Sequence, residues 1–290
     1  MAPIPVLVTG SSGFIGRHVV RLLAESGHQV TATDYRPQAE PLPDGVRFHR
    51  CDLRSDPLPR GDFAVVVHLG ALAGVRPSLD RPLDYEATNV LGTLRLLEHC
   101  RQHDIGRFVL ASSSSVYGPD TPLPAREDGP VSPLSPYALT KLHGEKWGGL
   151  YAKLHGLRFV ALRLFSVWGD GQRPDLALEA FRRRAIAGEP VVIFGDGTQR
   201  RDLTHVSDVA RAVALAIRWE GSGALVANIG TGRNHSVLDM LKWASNFTNF
   251  TPQVEYRDAH PADVPETLAS RSRSMDCLGW EPTVFFPETP

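Results

Sequence analysis

Three short segments of the chain carry side chains whose types and spacing suit hydride transfer. TGSSGFIG spans residues 9–16, four serines occupy residues 112–115, and YALTK spans residues 137–141. The first segment is a glycine loop of the kind that binds phosphate groups, and the other two supply hydroxyls and an amine. Their order and separation predict a nicotinamide-dependent enzyme.

The glycine loop contains Gly10, Gly13 and Gly16, between a segment typical of a strand and one typical of a helix. The first glycine permits a tight turn, the second lets the backbone approach a pyrophosphate, and the third allows close helix–strand packing. The spacing G-x-x-G-x-x-G is a variant of the commoner fingerprint. A glycine-rich turn without a ligand is the alternative, but the strand–loop–helix context favours a bound dinucleotide.

An acidic residue, Asp34, ends the second predicted strand, 18 residues after Gly16. A carboxylate there can bind both adenosine ribose hydroxyls and repels a 2′-phosphate, which favours NAD over NADP. Arg36 could bind a 2′-phosphate and keeps NADP open as the second reading. Asp52 follows the third predicted strand, where it either contacts the adenine or caps a loop.

Tyr137 and Lys141 are four residues apart on a predicted helix, so their side chains share one face. A free tyrosine is too weak a base at neutral pH. A neighbouring ammonium and a positive nicotinamide ring would both lower its pKa, and Lys141 would also hold the nicotinamide ribose. The alternative is an ordinary amphipathic helix.

The elements that must position these residues alternate between strands and helices. The predicted strands are Val6–Val8, Val30–Thr33, Val46–His49, Ala64–Leu69, Arg107–Ala111, Phe159–Leu164 and Leu225–Ile229, and the helices are Phe14–Glu25, Leu83–His103, Tyr137–His155 and Ser207–Trp219. This order predicts a Rossmann-like, doubly wound parallel sheet of the α/β class. Leu225–Ile229 could rejoin the sheet, so a smaller C-terminal substrate lobe is interleaved with it. We expect an NAD-binding domain of residues 1–165 plus 204–230 and a nucleotide-sugar lobe of residues 166–203 plus 231–290.

Composition excludes several other classes of protein. The chain has 290 residues, with 31 basic and 32 acidic side chains and therefore a net charge of −1. It lacks the excess of positive charge that is typical of proteins that bind nucleic acid or an anionic membrane surface. Three widely spaced cysteines argue against disulfides and a metal site and fit the cytoplasm. The N-terminus lacks a signal-peptide pattern, and no apolar run could span a bilayer.

At this point the chain resembles the extended short-chain dehydrogenase/reductase superfamily, specifically the NAD-dependent epimerase/dehydratase family that acts on nucleotide sugars. The matching segments occur in the family's order along nearly the whole chain: TGSSGFIG (9–16), HLGALAGVRPS (68–78), NVLGT (89–93), ASSSSVYG (111–118), SPYALTK (135–141), RLFSVWGDGQRPD (163–175), GDGTQRRDLTHVSDVA (195–210) and NIGTG (228–232). As a set they are highly specific.

The resemblance implies roles for residues in these segments. Tyr137 is the base that removes a sugar hydroxyl proton as hydride passes to NAD, and Ser113, four residues before Tyr117, relays that proton. The implied cofactor contacts are Gly10, Gly13, Phe14, Ile15, Gly16, Asp34, Asp52, Leu53, Leu69, Ala71, Asn89, Tyr137 and Lys141.

The residues after Ser113 favour one reaction of the family. Its 4,6-dehydratases have an Asp-Glu pair at the next two positions, and its UDP-glucuronate decarboxylases typically have a glutamate nearby. Here Ser114 and Ser115 stand there, so an elimination lacks its acid and base, whereas oxidation and re-reduction at one carbon lack nothing. An epimerase is expected.

The substrate end resembles UDP-glucuronate 4-epimerases. Ser166 stands where that subgroup has a threonine that anchors the sugar carboxylate, and Arg201 matches the family's diphosphate-binding arginine. His260 replaces a second arginine, for which Arg173 or Arg257 could substitute. The implied substrate contacts are Arg76, Ser114, Ser115, Ser166, Arg173, Arg201 and His260.

The resemblance also implies a homodimer through the helices that begin near Leu83 and Tyr137. The expected reaction interconverts UDP-glucuronate and UDP-galacturonate through a 4-keto intermediate. Alternatives are a UDP-glucose/galactose 4-epimerase, a UDP-glucuronate decarboxylase or ketoreductase, and a non-catalytic NAD-binding regulatory protein.

Overall fold

The structure is a computed structural model, and it describes residues 2–38, 40–246 and 252–287. Its strands are β1 (Pro5–Thr9), β2 (Gln29–Asp34), β3 (Arg47–Arg50), β4 (Val65–His68), β5 (Arg107–Ser113), β6 (Arg158–Leu164), β7 (Ser166–Trp168), β8 (Val191–Phe194), β9 (Arg200–His205), β10 (Ala224–Ile229), β11 (Asn234–Ser236) and β12 (Val254–Arg257). Its α-helices are α1 (Phe14–Glu25), α2 (Val75–Asp80), α3 (Pro82–Tyr85), α4 (Gly92–Gln102), α5 (Pro136–His155), α6 (Ala177–Ala187), α7 (Val206–Ala216), α8 (Val237–Ser245) and α9 (Ser272–Leu278).

The central sheet has the strand order β10-β6-β5-β4-β1-β2-β3, and every neighbouring pair in it is parallel. This confirms the predicted Rossmann-like, doubly wound sheet. The order of the strands along the chain reverses between β1 and β4. Open α/β sheets bind ligands in the crevice at such a point, outside the carboxyl ends of the strands.

Both faces of the sheet are covered by helices. Helices α1 and α7 pack together on one face, and α4 and α5 pack together on the other. A parallel sheet covered on both faces needs continuous apolar strands. Strand β4 meets this requirement because Val65, Val66 and Val67 are all fully buried.

Two sequence predictions about particular elements have different outcomes. Leu225–Ile229 rejoins the sheet as predicted, because β10 pairs in parallel with β6. The helix predicted over Leu83–His103 is present without a break as far as Gln102, but it is not a regular α-helix throughout. Helix α3 is followed by a π-helical segment at Glu86–Leu91 and then by α4.

A smaller unit lies outside the central sheet. Strands β7, β9 and β11 form one short sheet, and β8 pairs with β12. This unit has an apolar cluster of its own, which includes Leu178, Phe181 and Phe286. The predicted division into an NAD-binding domain and a sugar lobe stays a prediction, and residues 247–251 and 288–290 of that lobe lie outside the described part of the chain.

Neither a membrane span nor a metal centre is found in the described residues. No helix among them is both long and apolar enough to cross a bilayer. No group of three or more His, Cys, Asp or Glu side chains among them is arranged to hold a metal ion.

Candidate active site

The glycine loop forms a tight cradle between β1 and α1. Gly10 has a φ of +71°, and a Cβ on it would lie 2.5 Å from the backbone nitrogen of Gly70. A Cβ on Gly16 would lie 2.0 Å from the carbonyl oxygen of Gly10. Helix α1 begins at Phe14 and Ile15, directly after the loop, so its first N–H groups face that cradle. The geometry fits a dinucleotide pyrophosphate.

The acid at the end of β2 lies beside this cradle. Asp34 is only 5% exposed, and its carboxylate accepts hydrogen bonds from the backbone nitrogens of Ser12 (3.1 Å) and Arg36 (3.0 Å). A Cβ on Gly13 would lie 3.8 Å from the Arg36 guanidinium. The structure thus brings the predicted ribose acid and the glycine loop together, with the Arg36 guanidinium 3.5 Å from the Asp34 carboxylate.

Asp52 and Leu53 follow β3 and have different surroundings. The Asp52 carboxylate pairs with Arg54 at 2.6 Å, and this hydrogen bond lowers the pKa of Asp52. Leu53 is buried against the backbone of Gly70, where a Cβ would lie 3.1 Å from its side chain. Leu53 therefore supports the loop that faces the cradle, and Asp52 is engaged with a neighbour on its own loop.

The loop after β4 is held by Asn89. Leu69 and Ala71 are half-buried in this loop. The Asn89 amide accepts a hydrogen bond from the backbone nitrogen of Leu72 at 2.8 Å and donates to the Leu72 carbonyl (2.9 Å) and the Thr140 hydroxyl (3.0 Å). These bonds engage the side chain with the protein itself, so Asn89 holds the loop against α5.

The three predicted catalytic residues come together at the carboxyl end of β5. Ser113 ends that strand, and Tyr137 lies in the first turn of α5, which the Ser135 side chain caps. Lys141 donates a hydrogen bond to the Ala111 carbonyl at 2.7 Å, and its ammonium lies 5.8 Å from the centroid of the Tyr137 ring. A proton acceptor, a hydroxyl and a cation therefore share one site.

The ionisation of this site is set by burial and a few charges. Burial raises the pKa of Tyr137, while a hydrogen bond with Ser113 and the charge of Arg173 oppose the rise. Burial lowers the pKa of Lys141 to about 8, and Glu145 opposes that shift. The sequence argument assigned the activating cation to Lys141. The structure shows Arg173 as a cation that favours the Tyr137 phenolate.

The serine run forms a short hydroxyl chain. Ser114 and Ser115 begin a 3₁₀ turn directly after β5. The Ser115 hydroxyl donates to Ser113 Oγ at 2.8 Å, and the backbone nitrogen of Ser115 also donates to it at 3.2 Å. Ser166 is half-buried at the start of β7. Ser115 is thus linked to the residue that contacts Tyr137.

The other predicted substrate residues form two groups. In the first, Arg76 pairs with Asp263 at 2.7 Å and lies over the Phe194 ring at 3.8 Å. Burial lowers the pKa of Arg201, Asp263 opposes this, and the charge of Arg76 adds to it. The His260 backbone carbonyl accepts a hydrogen bond from the Asp263 backbone nitrogen at 2.9 Å, and its Nδ1 accepts one from the Ala262 backbone nitrogen at 3.1 Å. Arg76 and Arg201 are two positive charges near the one negative charge of Asp263, so this group keeps a net positive charge that suits a diphosphate.

The second group contains Arg173. Its guanidinium binds Asp175 at 2.9 and 2.6 Å, and its charge acts on Tyr137 and on Tyr85. Tyr85 packs edge-on against the Tyr137 ring. Arg173 therefore lies at the reacting end of the site rather than with Arg201.

Sequence reasoning missed a buried charged network under the catalytic residues. Arg163 binds the Glu145 carboxylate through two nitrogens, at 3.0 and 2.8 Å, and Ser112 donates to the same carboxylate at 2.5 Å. The spacing of Glu145, four residues after Lys141 on the same helix, is the sequence signal that could have indicated it. The partnership with Arg163 has no local signal.

Comparison with known proteins gives a family and several relatives. The family model described as "NAD dependent epimerase/dehydratase family" matches residues 6–230. The chain is 34% identical to a UDP-glucuronate 4-epimerase of Thermodesulfobacterium geofontis, over 97% of this chain and 92% of that protein. It is 34% identical to a putative UDP-glucose 4-epimerase of Methanocaldococcus jannaschii, over 98% of this chain and 95% of that protein.

Solved structures share the fold. MoeE5 in complex with UDP-glucuronic acid and NAD is 43% identical, has a TM-score of 0.89, and covers 97% of this chain and 94% of its own. MoeE5 in complex with UDP-glucose and NAD has a TM-score of 0.90 at the same identity and coverage. The similarity extends over both the central sheet and the smaller unit.

Proposed function

The chain belongs to the NAD-dependent epimerase/dehydratase family, and from that premise we propose that it interconverts UDP-glucuronate and UDP-galacturonate through a 4-keto intermediate. It is an NAD-dependent sugar-nucleotide epimerase. The choice of glucuronate rests on Ser114, Ser115 and Ser166, whose hydroxyls could hold the sugar carboxylate. The lack of a carboxylate after Ser113 favours epimerisation over elimination. A relative named UDP-glucuronate 4-epimerase and the MoeE5 complex with UDP-glucuronic acid support it.

We assign the cofactor to the cradle after β1. Gly10 and the first turn of α1 hold the pyrophosphate, and Asp34 binds the adenosine ribose, because the cradle needs glycine and the carboxylate is fixed beside it. When bound in this cradle, NAD would supply the hydride acceptor and donor for C4 of the sugar. Lys141, on the helix face that it shares with Tyr137, holds the nicotinamide ribose.

Tyr137 and Ser113 handle the proton in this scheme. Tyr137 takes the proton of the C4 hydroxyl as the C4–H bond breaks, and Ser113 carries it between the two oxygens. Because burial raises the pKa of Tyr137, the phenol needs cations beside it to act as a base, and Arg173 and Lys141 supply them. Tyr137 returns the proton when the carbonyl is reduced, so the enzyme ends each cycle unchanged.

Glucuronate sets an additional requirement, since oxidation at C4 makes a β-keto acid. Such an acid loses carbon dioxide when the C5–C6 bond aligns with the carbonyl π system. We propose that the hydroxyls of Ser114, Ser115 and Ser166 hold the carboxylate away from that alignment. Arg173, whose charge acts on Tyr137, supplies a cation at the same end of the site.

The test is to incubate the purified protein with UDP-glucuronate, without added cofactor, and to follow the sugar protons by NMR. UDP-galacturonate is the expected product. Its appearance would support the epimerase and show that NAD co-purifies. UDP-xylose or a 4-keto pentose would contradict the proposed anchoring of the carboxylate.

Variants sharpen this test. Ser114→Ala and Ser166→Ala should increase the share of decarboxylated product, because each removes an anchor from the carboxylate. Ser222→Ala is the matched control, since Ser222 is exposed in the turn that precedes β10, at the opposite edge of the sheet. A product ratio equal to that of the control would remove the serines from the proposal.

A UDP-glucose 4-epimerase is the second candidate. The relative from M. jannaschii carries that name with the prefix putative, and MoeE5 is also solved with UDP-glucose. Conversion of UDP-glucose to UDP-galactose at a higher kcat/KM than that of UDP-glucuronate would favour this candidate. The residues of the proton transfer would be the same.

We also propose that the enzyme is a homodimer through α5 and the helical segment before α4. Large apolar side chains are exposed on these neighbouring helices: Leu83, Leu91, Leu139, Leu150 and Leu154. Leu83 is 83% exposed and Leu154 is 62% exposed. A second copy would cover them. Light scattering should give the mass of a dimer, and Leu154→Glu should shift it towards the monomer.

A cytoplasmic location is a further part of the proposal. Cys51, Cys100 and Cys277 are all free thiols, which suits a reducing compartment. Burial raises the pKa of Cys100 to about 12, so that thiol stays protonated. Cell fractionation would test the location, and recovery in a secreted fraction would contradict it.

A further inference from the structure

A buried polar cluster lies where the strand order reverses. Thr9 and His68 are register partners at the ends of β1 and β4, and Thr93 lies above them in α4. Their exposures are 0%, 2% and 2%. The proposed chemistry uses none of these three side chains, and buried polar groups at such a position need a physical reason.

The hydrogen bonds of this cluster have only one consistent direction. The Gly70 N–H donates to Thr9 Oγ at 3.2 Å, Thr9 Oγ lies 2.7 Å from His68 Nδ1, and His68 Nε2 lies 3.0 Å from Thr93 Oγ. Thr93 Oγ donates to the Asn89 carbonyl at 2.5 Å, and a carbonyl can only accept. The Thr93 hydroxyl proton is therefore committed, so His68 Nε2 must be the donor to Thr93.

The same reasoning settles the other ring nitrogen. Burial and the charge of Lys141 lower the pKa of His68 to about 3, so the imidazole is neutral at working pH. A neutral ring that carries its proton on Nε2 must accept at Nδ1, and Thr9 is the donor there. The Phe108 ring packs edge-on against the imidazole. The Nε2–H tautomer of His68, in this ring orientation, gives both Thr9 and Thr93 a hydrogen bond in the direction that each requires.

The chain of hydrogen bonds continues to the tyrosine helix. The Asn89 side chain donates to the Thr140 hydroxyl at 3.0 Å, and that hydroxyl donates to the Tyr137 carbonyl at 2.8 Å. At the other end, Gly70 lies against the glycine loop, where a Cβ on Gly10 would meet its nitrogen. An unbroken path therefore joins the cofactor cradle to the backbone of the proposed base.

We propose that His68 is a positioning residue that sets the glycine loop and the tyrosine helix at the separation that cofactor and base require. The Nε2–H imidazole spans the gap between the end of β1 and α4. The inference rests on the proposed function only in taking the loop as the NAD site and Tyr137 as the base, and it does not depend on which sugar is turned over.

The first measurement is the tautomer, in the wild-type protein. NMR of protein labelled with ¹⁵N-histidine should show that His68 has a protonated Nε2 and an unprotonated Nδ1 and does not titrate through the neutral range. The assignment comes from the signal that disappears in His68→Phe. If His68→Phe does not fold, it comes from the Nε2 signal that shifts most in Thr93→Val, since Thr93 is the Nε2 partner. A protonated Nδ1, or titration near neutral pH, would overturn the proposal.

The second measurement separates positioning from simple stabilisation. His28 is the matched control: it is also buried, it accepts a hydrogen bond from the Ile4 backbone at Nδ1 (3.1 Å), and its Nε2 lies 3.0 Å from Arg218. His68→Phe and His28→Phe should both lower the urea midpoint. Only His68→Phe should weaken NAD binding, by about tenfold by calorimetry without sugar, and lower kcat.

Three further outcomes decide the matter. Thr93→Val, which preserves shape and removes the partner of Nε2, should weaken NAD binding as His68→Phe does. His68→Gln, which retains an N–H donor, should recover part of the affinity. If His68→Phe loses stability but binds NAD as tightly as His28→Phe does, the role is structural only and the proposal fails. The NAD arm holds even if the sugar proposed above is wrong.

Discussion

The buried pair of Arg163 and Glu145 gives the sharpest prediction about stability. The two side chains are 5% and 4% exposed and meet through two nitrogen–oxygen contacts, at 3.0 and 2.8 Å. Arg163→Met retains much of the apolar stem and removes both contacts. The Glu145 carboxylate would then be buried with the Ser112 hydroxyl as its remaining partner in this network.

The size of the effect follows from what is left behind. Removing one member of a buried ion pair strands the other charge, which lowers the free energy of unfolding by about 3–5 kcal/mol. Arg163 also donates to the Tyr117 hydroxyl at 2.9 Å, so a second buried group loses a partner. Domains of ordinary stability unfold with about 5–15 kcal/mol, so this loss is a large share.

Urea unfolding followed by tryptophan fluorescence measures the effect. Arg163→Met should lower the free energy of unfolding by about 3–5 kcal/mol. The double variant that also carries Glu145→Leu should recover most of this loss, because two apolar side chains leave no unpaired buried charge. Arg81→Met is the matched control, since its pair with Asp84 is exposed, and it should lose far less. A loss below about 1 kcal/mol, or a double variant no better than the single one, would refute the reasoning.

Three other predictions concern the cofactor, the lysine and the diphosphate. Gly10→Ala should abolish measurable NAD binding in calorimetry, because the added methyl would lie 2.5 Å from the Gly70 backbone nitrogen. Gly27→Ala is the control: Gly27 has a similar φ of +79°, and its added methyl would have nothing within 4 Å. This control should lower the free energy of unfolding by only about 1–2 kcal/mol. Equal NAD affinities would contradict the cradle. Since the Lys141 pKa falls from 10.5 to about 8 on folding, the unfolded chain holds its proton longer. As the pH rises between those values, the free energy of unfolding of the wild type should therefore increase by up to about 3 kcal/mol relative to that of Lys141→Met. Urea unfolding that shows no such increase would contradict a buried Lys141 with a lowered pKa. Arg201→Gln should raise KM for the nucleotide sugar by about ten- to a hundredfold with little change in kcat, since the diphosphate is remote from C4; an equal fall in kcat would place Arg201 at the reacting end.

Much of the site was predictable because its signals are local in sequence. The glycine spacing of Gly10 and Gly16 and the Tyr137–Lys141 repeat each lie within one turn or one element. The alternation of strands and helices indicated the parallel sheet, and parallel strands bring such residues to the same edge. For this reason Ser113, although 24 residues before Tyr137, could be expected in the same site.

Other features depend on packing that no local pattern encodes. The π-helical stretch within the helix predicted over Leu83–His103 is one, since apolar periodicity does not distinguish one extra residue per turn from a regular helix. The small sheets are another, because their strands of three to six residues pair with distant partners.

The sequence by itself determined the fold class, the cofactor loop and the candidate catalytic residues, because each depends on backbone conformation and on repeats within one element. Only the tertiary structure decided which charges meet. Arg76 finds Asp263 across 187 positions, and Arg173 rather than Arg201 lies near Tyr137. The tautomer of His68 likewise follows from partners on β1 and α4. Ion pairs and directed hydrogen bonds depend on distances of a few ångströms between elements, and those distances exist only once the core has packed.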